Sequence, residues 1–199
     1  GSFMYEDNLL VGKGLKLLFI SQILSVVTNF PGEGLLSWTV SLAAMIVSLV
    51  GLHTAAPAHP KFRTALRLNI VLIVLLVVTT ILSALPEAGL SLGQAVVLLA
   101  VAILAVALGA WNVYLICTAA GEILTANGYA ALAAKGATVW KLFLVTSAAT
   151  SVFMLLALVP ILLVIAGILV IGTAIAMLVG AILYMIFLYN AYHALLYRR

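Results

Sequence analysis

Between Leu142 and Tyr197 the chain runs for 56 residues without a Lys, Arg, Asp or Glu. As one helix that stretch would be roughly 84 Å long at about 1.5 Å per residue. A bilayer's hydrocarbon core is only about 30 Å thick, so the stretch must fold back on itself. Val159-Pro160 marks the break, because proline removes a backbone donor, and Gly167 offers a second loose point. The stretch therefore reads as two membrane spans around a short apolar turn.

The same measure applied to the rest predicts an all-α, polytopic bundle of six transmembrane helices forming a single domain over residues 4–199. Gly1-Ser2-Phe3 ahead of Met4 reads as an expression-tag remnant. Only 7% of the residues are charged and 66% are hydrophobic, against about 25% charged in soluble domains, which sets a soluble globular fold aside. The predicted spans cover about 15–30, 35–54, 65–85, 92–118, 139–159 and 167–190. Pro31-Gly32-Glu33-Gly34 and Pro86-Glu87-Ala88-Gly89 form turns, and Ser91 to Gln94 has capping-box spacing at the start of span four. Asn127-Gly128 suits a helix C-terminus. Tyr129 to Lys135 reads as two surface turns ended by Gly136, with Thr138 capping span five.

Charge position sets orientation. Lys13 and Lys16 precede span one, Lys61, Arg63 and Arg67 lie at the second connection, Lys135 and Lys141 at the fourth, and Arg198 and Arg199 at the C-terminus. The other connections hold Glu33, Glu87 and no basic residue. Cytoplasmic loops collect Lys and Arg, so both termini are expected inside, in a bacterial inner membrane. The net charge of +4 then reports topology, and no nucleic-acid partner is expected. Each odd span also starts with a related basic stretch, and Leu52-His53-Thr54-Ala55-Ala56 resembles Ile116-Cys117-Thr118-Ala119-Ala120. Three related helical hairpins would give this pattern, as would the ordinary chemistry of inside-facing helix ends.

Polar residues within the spans are the functional leads, since unpaired polar groups are costly in hydrocarbon. Gln22 and Ser25 on span one, Ser48 on span two and Thr146 and Thr150 on span five make the candidate substrate-binding set. With no charge at mid-depth, such a set suits a small neutral solute. The plainer reading is that these side chains are interhelical packing glue. Gly172, Ala176 and Gly180 on span six, and Ala105 and Gly109 on span four, are expected to let another backbone approach, internal or from a second copy or partner subunit.

Four further residues, His53, Cys117, Glu122 and His193, fall at the inside ends of even spans and are weak metal-ligand candidates without ligand spacing. No metal, cofactor or catalytic set is expected. Gly12-Lys13-Gly14 lacks the context of a phosphate loop. The size, the six spans and the inside termini are similar to those of substrate-binding subunits of energy-coupling-factor vitamin importers. That likeness is of topology, carries over no motif residue, and implies small-solute binding. Two functions follow: a small-solute transporter or its membrane-embedded binding subunit, and a non-catalytic assembly, regulatory or structural subunit that works by helix packing.

Overall fold

The computed structural model describes residues 2–28, 34–84 and 92–197. It contains six long helices: α1 (Ser2–Thr28), α2 (Leu35–Ala55), α3 (Pro60–Ala84), α4 (Leu92–Ala126), α5 (Ala130–Leu156) and α6 (Leu163–Leu196). All six contain stretches long and apolar enough to cross a membrane. Large apolar side chains cover the outside; Leu36, Ile161 and Val164 are 79%, 88% and 74% exposed. Only a hydrocarbon surround makes that tolerable, and the chain is an integral membrane protein.

Each helix packs on its neighbours in sequence, and α6 returns to α1, so the six close into a ring. Short connections explain the order. Ala56–Ala58 forms one 3-10 turn between α2 and α3, and Pro60 opens α3 at the position where proline's missing N–H costs least. Gly128, at φ 86°, takes the left-handed conformation that ends α4. Pro160 falls in the 3-10 turn Pro160–Leu162 that separates α5 from α6, as its sequence position predicts. The Pro31–Glu33 and Pro86–Gly89 turn segments, Ser91 with its cap, and Arg198 and Arg199 lie outside the described residues.

Three expectations are corrected. Gly136 does not end a surface helix; α5 runs unbroken from Ala130, and a Cβ at Gly136 would lie 2.6 Å from the Phe187 ring. The glycine is there to admit that ring. Thr138 is no cap, and its hydroxyl donates to the Ala134 carbonyl at 3.3 Å. Likewise Gly167 sits inside α6 rather than at a second break.

The core is lopsided. Val11, Leu15 and Leu18 of α1, Leu52 and Ala55 of α2, Phe62, Ala65 and Leu68 of α3, and Ile116, Ala119, Ala120 and Leu124 of α4 join Leu188, Ala191 and Tyr192 of α6 in one buried cluster. In α2, α3, α4 and α6 these lie toward the end nearest the basic residues of the second and fourth connections and the C-terminus, and in α1 they surround Lys13 and Lys16. Even helices repeat one register there, at 52/55/56, 116/119/120 and 188/191/192, with all nine positions buried. This i, i+3, i+4 pattern aims one stripe of each helix at a common centre.

Glycine sets the tightest seam. A Cβ on Gly14 would lie 2.6 Å from the Gly51 carbonyl oxygen, and one on Gly51 would lie 2.8 Å from that of Gly14. The α1 and α2 backbones therefore touch, which dispersion rewards in lipid. Seven residues further along α1, Ser21 Oγ donates across the same seam to the Ala44 carbonyl at 2.8 Å. Toward its opposite end α3 exposes Val71, Val74, Val78 and Ile81.

Candidate functional sites

The sequence-predicted polar set does not converge. Gln22 and Ser25 lie half-buried on α1, Ser48 half-buried on α2, and Thr146 and Thr150 buried on α5. Since α1 packs on α2 and α6, while α5 packs on α4 and α6, α6 stands between the two groups. The hydroxyls of Ser25, Thr146 and Thr150 are also spent at home. Ser25 donates to the Ser21 carbonyl at 3.0 Å, Thr146 to that of Leu142 at 2.9 Å, and Thr150 to that of Thr146 at 2.7 Å. Such back-bonding satisfies a hydroxyl in lipid without a partner helix or a ligand. Sequence alone cannot reveal it, because depth in the membrane is legible there and hydroxyl direction is not.

The small-residue positions divide as well. Gly180 is buried, and a Cβ there would meet Phe143 of α5 at 3.3 Å. Ala176 is half-buried, whereas Gly172 is exposed and Gly109 half-buried, each with open space where a Cβ would stand. Ala105 lines a lateral cleft instead.

That cleft, of about 370 Å³, runs along α3 and shares the wall residues Met45, Ile73 and Leu76 with a second cleft of about 480 Å³. Leucine, isoleucine and valine dominate its walls. Its polar end is Asn69, whose Nδ2 donates to the Ala65 carbonyl at 2.8 Å and to Asn112 Oδ1 of α4 at 2.7 Å. Sequence reasoning passed over this pair; an Asn in each of two sequential spans was the available signal.

At the basic end a polar cluster joins three elements. His59, extended between the 3-10 turn and α3, hydrogen-bonds through Nε2 to Glu122 Oε2 of α4. Lys61 Nζ lies 3.4 Å from Glu122 Oε1. The same ammonium stands 5.9 Å from the Tyr114 ring centroid, and Tyr114 meets Trp140 of α5 edge-to-face at 4.9 Å. Beside them an α4/α5 cleft of about 540 Å³ is lined by Cys117, Thr118, Glu122 and Trp140 among others. His59 was missed as a partner because the sequence offers no spacing that ties it to Glu122, 63 residues on.

The four metal candidates stay apart. His53 is exposed on α2, Cys117 is buried in the core, Glu122 is held by His59 and Lys61, and His193 stacks among Tyr189, Tyr192 and Tyr197. Among the described residues no three His, Cys, Asp or Glu side chains group as a metal would require. No protein-family profile, curated protein or solved structure matches the chain.

Proposed function

We propose that this protein is a non-catalytic membrane subunit that acts through its packing surfaces, oriented with the basic end in the cytoplasm. The observation that carries this reading is the closed basic end. Leu15, Leu52, Phe62, Ile116, Leu124 and Leu188 fill the centre of the ring there, each less than 2% exposed. Such a plug leaves no aqueous route across that half. Ser25, Thr146 and Thr150 bond their own helices, Ser21 bonds α2, and the cleft along α3 is walled mainly by apolar side chains. Nine basic residues at or beyond one end support the orientation.

Transport by a small-solute carrier keeps one supporting observation, the contrast between the packed basic end and the clefts along the opposite half of α3, as an outward-facing carrier would have. What copurifies separates the two. Gently purified protein, analysed by native mass spectrometry, is expected to retain lipid or a second membrane polypeptide. A water-soluble metabolite held in stoichiometric amount would overturn the packing reading and favour transport.

A further inference from the structure

The α4/α5 cleft at the basic end holds chemistry that neither the core nor the lateral cleft uses. Thr118 lines it, and its Oγ1 is buried without a hydrogen-bond partner. This departs from the local rule: Thr125, on the same helix, donates to the Gly121 carbonyl at 2.8 Å, as Thr146 and Thr150 donate to their own helix. Leaving a buried hydroxyl unsatisfied costs free energy, so a rotation of Thr118 toward an acceptor in the cleft is favoured. Glu122, on the same wall, has a side chain 55% exposed beside Lys61 at 31%. A carboxylate has about four lone-pair sites, so Glu122 can accept a further donor beyond His59 and Lys61.

Depth fits the interface. At about 1.5 Å per residue, the 35 residues of α4 extend roughly 52 Å, well beyond a hydrocarbon core of about 30 Å. Glu122 and Thr125 belong to the last two turns, beyond the aromatic level of Tyr114 and Trp140. Trp111, 49% exposed, continues the face of α4 that carries Tyr114 and Thr118 toward the bilayer centre. Small walls keep the cleft open; a Cβ on Gly121 would already touch that of Ala133 at 3.7 Å.

We propose that this cleft binds the head group of a phospholipid whose phosphodiester carries a primary ammonium, its acyl chains running down α4 past Trp111. The phosphodiester oxygens accept from Lys61 Nζ and from the Thr118 hydroxyl. The ammonium donates to Glu122 and lies beside the Trp140 ring. Each alternative leaves part of the site unused. An anionic head group without the amine sets like charge against Glu122, a quaternary ammonium has no N–H to donate, and a soluble phosphoester has no chains for the Trp111 face.

The full chain in detergent, titrated separately with phosphatidylethanolamine, phosphatidylglycerol and phosphatidylcholine, tests this by native mass spectrometry and thermal unfolding. Phosphatidylethanolamine should be retained about tenfold more strongly than either other lipid. Thr118→Val and Glu122→Gln should each remove most of that preference, with helix content unchanged by circular dichroism. Should Glu122→Gln not fold, Thr118→Val decides, because its hydroxyl holds nothing in the fold. Equal retention of the three lipids by the unaltered protein overturns the proposal, as does a preference that survives Thr118→Val. Glycerophosphoethanolamine stabilising the protein as well as the lipid does would make the ligand a soluble phosphoester and overturn the lipid assignment.

Discussion

The side-chain amides of Asn8 and Asn127 donate to each other, at 2.6 and 2.9 Å. This reciprocal pair joins the first turns of α1 to the turn between α4 and α5, across 119 residues of sequence. Asn127 Nδ2 also donates to the Ile123 carbonyl at 2.7 Å, which helps to finish α4. Asn8→Ala and Asn127→Ala should each lower stability by about 1 kcal/mol, read as a fall in melting temperature. In the double variant the losses should combine to less than their sum, because both singles break the same pair. Strict additivity would mean that the amides are not coupled.

Glycine positions separate close packing from mere small size. Gly14→Ala drives a Cβ against the Gly51 carbonyl oxygen and should cost about 1–3 kcal/mol, as overpacking does. By contrast Gly172→Ala meets open space, and alanine favours a helix by up to about 1 kcal/mol, so stability should hold or rise. Thermal unfolding of both variants in one detergent checks the contrast. Equal losses would put a neighbour against Gly172 in the assembled protein.

Those two glycines also mark the limit of what could be read without coordinates. Apolar length and charge position made the six helices, the Pro160 break and the basic end legible, because each depends on one segment and the bilayer. Gly172 and Gly180 stand eight residues apart on one face, either side of Ala176, yet only Gly180 meets a neighbouring helix, at Phe143. Spacing defines a helix face; which face meets a partner depends on the whole ring. Gly14 and Gly51, 37 positions apart, gave no local pattern at all. Thr146 and Thr150 were legible as polar groups at depth, but their bonds to their own helix depend on side-chain rotamers. Gly136 misled for a related reason, since the Phe187 ring that explains it lies on another helix.

Orientation is open to a direct chemical reading. In a Cys117→Ala background, single cysteines placed at Glu33 or Glu87 should react with an impermeant maleimide added outside sealed cells. Cysteines at Lys61 or Lys135 should react only after the membrane is opened. The reverse labelling would invert the topology.

Gln22 is the test of the binding set. The Gln22→Leu variant should shift stability by about 1 kcal/mol in either direction, the scale of an interhelical polar contact in a membrane. Its profile of copurified small molecules should not change. Loss of one stoichiometric metabolite in a well-folded Gln22→Leu protein would restore Gln22 to a solute site.

The native Cys117 reports on the closed basic end without any substitution. Its side chain is 2% exposed inside the plug, beside Ile116 and Ala120. A thiol closed off by apolar neighbours is inert toward water-soluble maleimides. In sealed vesicles of either orientation, Cys117 should remain unlabelled by a water-soluble maleimide over hours and react to completion once the protein is unfolded in dodecyl sulfate. Rapid labelling of the folded protein from the side opposite the basic end, where the α4/α5 cleft gives no access, would place water at the centre of the ring and contradict a closed basic end.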